Sequence, residues 1–286
     1  MAEQNADQIA DWKGQSGERW GAYQARLDTM MAPFGQAAIK AAAPAKGERV
    51  LDVGCGAGAS SRDLAACVGA EGHVLGVDIS EPLIDRARLL AQDTPVLFQV
   101  ADASSTEFPK GAFDILFSRF GVMFFDDPTA AFTHMRHALA PGARVAFVCW
   151  RDIAENDWVR LPMGAIKGIL PSMTPPGPEA PGPFSFGDPE RVERILTAAS
   201  FTDVAIAPFN ASIPFGKGET RDAALDDAVK MTLEVGPLAR ALADQPDDIR
   251  ARASAAVRAV FAGCPGERSV IIDGAAWIVT AHNPTR

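Results

Sequence analysis

Residues 50–64 read VLDVGCGAGASSRDL, an aspartate followed by three glycines at alternate positions: Asp52, Gly54, Gly56 and Gly58. Glycine lets a ligand approach the backbone closely and adopts positive φ at little cost. The segment runs from an apolar strand into a helix, whose first N–H groups are free to bind a polar or anionic ligand. A tight strand–helix turn needs one glycine; three point to a ligand cradle. Gly54, Gly56 and Ala59 also fit G-x-G-x-x-G/A, the dinucleotide pattern, so the glycines alone do not choose the ligand. Asp52 does discriminate. A carboxylate two residues before the first glycine would repel a pyrophosphate, but it suits a ligand with a cationic ammonium end.

Two further carboxylates close apolar strands. Asp78 lies 26 positions after Asp52, where a carboxylate accepts from both hydroxyls of a ribose. Asp102 precedes the small Ala103; together they could read an adenine edge, and Asp102 could equally cap the turn in DASST. Aromatic and thioether groups are candidates for enclosing a substrate. They are Trp20, Phe120, Met123 and Trp150, each of which could equally be core. Trp12, Trp20 and Tyr23 are the aromatic residues of the segment 11–30, and a ring face near a cation is favourable. Tyr23 and Asp152 are the weak candidates for a catalytic base, with Asp152 also readable as a solvated loop carboxylate. His134 and His137 fall off the apolar stripe of their helix and are expected to face solvent. His73 and His282 sit at strand ends. No histidine pair has metal-ligand spacing, so no metal is expected.

These groups must be held by the elements around them. Between 48 and 150, apolar runs (RVLDVG, HVLGVD, VLFQVAD, FDILFSRF, ARVAFVCW) alternate with helical stretches, the pattern of a parallel sheet covered on both faces. Asp127 and Pro128 mark a helix start, and Ala140-Pro141-Gly142 is expected to stop that helix. Residues 171–183 hold six prolines and cannot be regular helix or central strand. The pattern resumes with a helix near 188–199, a strand at 203–215, helical sequence over 219–262 and a last strand at 269–282, where Gly274 could mark a bulge. The chain has 286 residues, 48% of them apolar, and a net charge of −9. That size supports one large core. The acidic balance argues against nucleic acid and anionic lipid, and no apolar run is long enough to span a membrane. The polar, acidic start lacks a secretory n-region. Four dispersed cysteines suit a reduced cytoplasm.

The ordered set LDVGCGAG, GVDIS, VADAS, FDILFSRFGVMFF and APGARVAFV resembles the class I S-adenosylmethionine (SAM)-dependent methyltransferases. It is especially similar to the small-molecule branch of ubiquinone and menaquinone C-methyltransferases. The resemblance implies an α/β fold: a Rossmann-like, seven-stranded, mostly parallel sheet with an antiparallel last strand and helices on both faces. The helical and Pro-rich segments after residue 150 read as insertions added to it, forming a lid over the strand ends or, alternatively, a dimer interface. The resemblance covers about 48–150 closely and the final strands loosely; because the later segments read as insertions into the same fold, one methyltransferase domain is expected over 1–286. Within it, 1–47 would be a helical cover, 48–150 the SAM-binding core, 151–187 and 219–265 lid insertions, and 188–218 and 266–286 the remaining core. Mapped onto this chain, Gly54, Cys55, Gly56 and Gly58 would form the loop under the donor, with Asp52 of the preceding strand also binding it. Asp78 would take the ribose with Ile79 beside the adenine, Asp102 and Ala103 would read the adenine, and the Ser118 carbonyl would meet the ammonium group. The expected activity is methyl transfer from SAM, yielding S-adenosylhomocysteine, to a small, partly apolar acceptor, in the cytoplasm. The chain departs from N-P-P-Y after its fourth strand (Ser118-Arg119-Phe120-Gly121), which argues against nucleobase amino groups. Two alternatives stay open, a non-catalytic SAM-binding regulator and an NAD(P)-dependent oxidoreductase. The acceptor, the methylated atom and the oligomeric state are left open by the sequence.

Overall fold

A computed structural model of the chain describes residues 6, 10, 12, 14–92, 94–170, 177 and 179–285. The chain divides into two compact units. One comprises Met1–Trp150, Pro178–Phe209 and Ala276–Arg286; the other comprises Arg151–Gly177 and Asn210–Ala275.

Seven strands form one sheet. They are β1 (Arg49–Val53), β2 (His73–Asp78), β3 (Val96–Val100), β4 (Phe113–Arg119), β5 (Leu139–Trp150), β6 (Thr202–Lys217) and β7 (Ser269–His282). Their order is β3-β2-β1-β4-β5-β7-β6. Pairings β1–β2, β1–β4, β2–β3 and β4–β5 are parallel, and β7 lies antiparallel to β5. A doubly wound dinucleotide fold has the order 3-2-1-4-5-6; here a reversed strand is inserted beside β5. β1 and β4 are central because their apolar runs are buried on both faces: Val50, Leu51, Ile115, Leu116 and Phe117 are fully enclosed.

In the first unit the helices are α1 (Gln15–Ala22), α2 (Gln24–Ala42), α3 (Ala59–Val68), α4 (Glu81–Leu90), α5 (Pro128–Arg136) and α7 (Pro189–Ala198). α2 buries Leu27, Met30, Met31, Phe34, Ala38 and Ile39, an i, i+3, i+4 stripe. Asp127 caps α5 as expected, accepting from Ala130 N at 2.9 Å, with Pro128 in the first turn.

Three expectations need correction. α5 ends at Arg136, before the Ala-Pro-Gly run. That run lies within β5, where Phe113 pairs with Leu139 and the register then shifts; strand pairing overrides the local stop signal. Gly274 does not interrupt β7. His134 does not face solvent: it is half-buried, its Nε2 2.8 Å from Thr106 O, whereas His137 is exposed.

The second unit contains α6 (Asp157–Ala165), α8 (Arg221–Glu234), α9 (Pro237–Ala241) and α10 (Asp247–Ala262). Its core includes Phe215 against Phe261, ring centroids 5.5 Å apart. Asn156 is fully buried, donating to Ala275 O and accepting from Ala275 N, both at 3.0 Å. Arg221 closes the C-terminal end of α10 by donating to the carbonyls of Phe261, Ala262 and Cys264. Of the six prolines in 171–183, Pro171, Pro175, Pro176 and Pro178 lie outside the described residues.

Candidate functional site

The glycine loop joins β1 to α3, and all three glycines have positive φ: +66° at Gly54, +54° at Gly56 and +77° at Gly58. They serve different ends. A Cβ on Gly54 would come 2.7 Å from Gly121 Cα, and one on Gly58 would come 2.6 Å from the Phe98 ring. Both glycines are therefore demanded by packing. A Cβ on Gly56 would meet no heavy atom of the described residues within 4 Å. The loop backbone is open to a ligand at Gly56.

Beneath the loop, Asp52 is 0% exposed. Its Oδ2 accepts from Ser60 Oγ at 2.8 Å and Ser61 Oγ at 2.6 Å, both in the first turn of α3. Among the described residues its buried Oδ1 has no hydrogen-bond partner. Burial pushes the carboxyl up to about 6, against the serine hydroxyls and Arg119, which favour the charged form. A buried oxygen without a partner costs free energy unless a ligand satisfies it.

Asp78 ends β2 half-buried. Its Oδ2 accepts from Gly56 N at 2.8 Å and its Oδ1 from Ser80 N at 2.9 Å. One carboxylate thus fastens the loop to the next strand. Two oxygens offer about four lone-pair directions; with the Ile79 N–H also favouring the charged form, capacity remains for a ligand hydroxyl. Burial raises this carboxyl as well, opposed by the backbone N–H donors. Ile79 beside it is half-buried. Asp102 caps its turn: Oδ1 accepts from Ser104 N at 2.9 Å and from Ser104 Oγ at 2.7 Å, with Ala103 buried next to it. Cys55 is buried in the loop, its N donating to Val77 O at 3.1 Å. Burial pushes its thiol well up, so it is not a thiolate nucleophile.

At the end of β4, Ser118 is buried and its hydroxyl donates to Val53 O at 2.8 Å while accepting from Gly121 N at 3.1 Å. This clamps the β4 exit to the loop. Phe120 adopts a left-handed φ of +62°, a conformation costly for a bulky residue and often found at functional sites. Its ring stacks on Trp150, centroids 4.1 Å apart and 16° between planes. Phe34 of α2 packs edge-on to both, at 5.9 and 5.0 Å. Met123 is 1% exposed, its sulfur 3.4 Å from Trp150 N. Trp12 meets both Trp20 and Phe124 edge-on, at 5.6 and 5.5 Å, which places its ring at the turn after β4. Tyr23 is half-buried between α1 and α2. Asp152 is exposed and caps a 3-10 turn through Ala154 N at 2.8 Å.

The structure thus gathers Asp52, Gly54, Cys55, Gly56, Gly58, Asp78 and Ser118 around one loop. Several members of this assembly were not read from the sequence. Ser60 and Ser61 hold Asp52, and Gly121 packs on Gly54. Arg119 forms an ion pair with Asp28 at 2.6 Å. The Ser-Ser pair at the start of α3 was a legible signal, since hydroxyls there can reach back to the preceding strand. Among the described residues no group of three or more His, Cys, Asp or Glu is arranged to hold a metal ion, and no helix is long and apolar enough to cross a membrane.

Residues 50–142 match a family of methyltransferase domains. The chain is 36% identical over 118 residues to aklanonic acid methyltransferase from Streptomyces sp. (strain C5), covering 40% of this chain and 54% of that protein. It is 36% identical over 115 residues to 2-phytyl-1,4-naphtoquinone methyltransferase from Synechococcus elongatus, covering 39% and 49%. The chain thus spans about half the length of these curated relatives. Among solved structures, a putative methyltransferase from Bacillus halodurans superposes with a TM-score of 0.55 at 18% identity, over 88% of this chain and 99% of that one; this likeness concerns the fold.

Proposed function

We propose that this chain, whose residues 50–142 match a family of methyltransferase domains, is a class I SAM-dependent methyltransferase that transfers the methyl group of SAM to a small, partly apolar acceptor. The observation that carries the reading is the loop at Gly56: open backbone flanked by the buried, half-satisfied Asp52 and by Asp78. These residues fit the donor. Asp52 supplies negative charge for an ammonium group, Asp78 has capacity left for a ribose hydroxyl, and Gly56 leaves room for the ligand against the chain. An NAD pyrophosphate would meet the Asp52 charge instead, and the reversed β7 beside β5 departs from the dinucleotide sheet.

When bound, SAM supplies an activated methyl on a sulfonium, so the protein's work is positioning. Ser60 and Ser61 orient Asp52, and Ser118 ties the β4 exit to the loop. The aromatic groups Trp20, Phe120 and Trp150 with Met123 are the proposed apolar wall for the acceptor. Such a wall excludes water and holds the acceptor atom in line. One of the relatives named above acts, by its name, on a naphthoquinone. A ring-bearing acceptor, uncharged or weakly anionic, is therefore proposed here. An oxygen or carbon acceptor would also need a base, with Tyr23 and Asp152 as candidates; comparing turnover of Tyr23→Phe and Asp152→Asn separates them.

Calorimetric titration with S-adenosylhomocysteine and, separately, NADH tests the donor assignment. Binding of the first and not the second is expected; the reverse overturns it. Incubation with methyl-labelled SAM and a panel of hydroxylated aromatic and quinone compounds tests the acceptor class, and label confined to strongly cationic or macromolecular acceptors overturns that part.

A further inference from the structure

We propose that Arg119 is a positioning residue of this donor site: clamped by Asp28, it fastens α2 over β4 and supplies the positive charge opposite the buried Asp52. The inference rests on the donor reading above. Its basis is register. Asp52 on β1 pairs with Phe117 on β4 in a parallel ladder, so their side chains share one face of the sheet. Arg119, two residues on, returns to that face. The same face receives Ser60 and Ser61 of α3, which bind Asp52. Arg119 is only 11% exposed and its Nη2 lies 2.6 Å from Asp28 Oδ1; Gln24 donates to the other Asp28 oxygen. α2 makes room for the arginine stem at Gly35, where a Cβ would stand 3.0 Å from Arg119 Cδ. A cavity of about 320 Å³ lies here, bordered by Asp28, Gln36, Ser60, Asp63 and Arg119 among others. Ser60 therefore borders both this cavity and the buried carboxylate.

The surroundings of Asp52 leave Arg119 a distinct task. From α3 come two neutral hydroxyls, from β2 the Asp78 carboxylate, which opposes a second negative charge, and from β4 the Arg119 guanidinium, which favours it. The Cys55 thiol nearby stays protonated. α2 contributes Asp28, already engaged by Arg119. A buried salt bridge alone is weak evidence for stability. Its use here is to keep a cation beside a carboxylate that must be charged to meet an ammonium group.

The test is the pH profile of S-adenosylhomocysteine binding, measured by calorimetry from pH 5.5 to 8.5 for the full chain and for Arg119→Gln, Arg119→Lys and Asp28→Asn. Wild-type affinity is expected to fall as pH drops through about 6. In Arg119→Gln the midpoint should move up by about one pH unit, a roughly tenfold loss below it. Arg119→Lys should restore the midpoint. Asp28→Asn should keep it near wild type while speeding amide hydrogen exchange in α2. A wild-type midpoint in Arg119→Gln overturns the proposal. If that variant does not fold, the lysine variant decides: a midpoint displaced as far as loss of the charge would bring refutes a role for the charge. If the wild type binds no S-adenosylhomocysteine, the donor reading fails by itself. Carboxyl carbon NMR of the ligand-free protein, with Asp52 assigned through Asp52→Asn, then still decides whether Arg119 governs the Asp52 titration. An Asp52 midpoint indifferent to Arg119 overturns the proposal on that route too.

Discussion

The exit of β1 and the neighbouring exits of β4 and β5 are built on opposite principles. At the exit of β1 the chain removes side chains: three glycines with positive φ surround a backbone left open at Gly56. At the exits of β4 and β5 it adds them: Phe120, Trp150 and Phe34 close into one aromatic cluster, and Phe120 tolerates a left-handed φ to join it. The first exit is specified by backbone conformation and the second by packing. The cost of strain is borne differently in each. Glycine adopts left-handed φ with little penalty, whereas the Phe120 strain must be offset by ring contacts. Substitutions at the two exits should therefore report on different properties.

The largest effect is expected in the cluster. Phe34 is fully buried against Phe120, Trp150 and Phe209, so Phe34→Ala should lower unfolding free energy by about 3–5 kcal/mol in urea titrations. A loss under about 1 kcal/mol would mean that the cluster is loosely packed and the contrast unfounded. Gly56→Val attacks the other exit. It should weaken S-adenosylhomocysteine binding at least a hundredfold, about 3 kcal/mol, because a branched residue fills the ligand's space and resists φ near +54°. Far less stability should be lost than in Phe34→Ala. Normal binding in a folded Gly56→Val protein would make the loop structural.

Asp52→Asn sharpens the comparison, because binding and stability should move in opposite directions. The native carboxyl is raised to about 6 from its ordinary value of 3.8. The folded state therefore binds the proton more tightly, and ionisation costs stability progressively from about pH 4 upward, in full above about 6. The amide has no such cost. Asp52→Asn should match wild type near pH 4 and exceed it by on the order of 2–3 kcal/mol at pH 8, while binding S-adenosylhomocysteine more weakly there. Equal stability at both pH values would contradict a charged, buried Asp52. Asp78→Ala should have the smallest or an equal effect, a ten- to hundredfold loss of affinity, about 1.5–3 kcal/mol for charge-assisted hydrogen bonds. Unchanged calorimetric affinity would remove ribose recognition from the proposed site.

The glycine loop and the parallel half of the sheet were legible in the sequence for local reasons. Alternate glycines act on the φ of their own residues, continuous apolar runs reflect burial on both faces, and Asp127-Pro128 caps the helix that it begins. Asp52 and Asp78 stood out by their place at strand ends. What the sequence could not express were contacts between residues far apart along the chain. Arg119 reaches Asp28 across 91 positions, and Ser118 reaches Val53 across 65. The insertion of β7 between β5 and β6, the stacking of Phe120 on Trp150 and the lodging of His134 on Thr106 O are also of this kind. Each depends on strand register or helix docking, which many distant apolar contacts settle together. By itself, therefore, the sequence determined which residues could hold a donor; the tertiary structure decided which of them meet, because a side chain's partners are chosen by the sheet that aligns them and not by its neighbours in the chain.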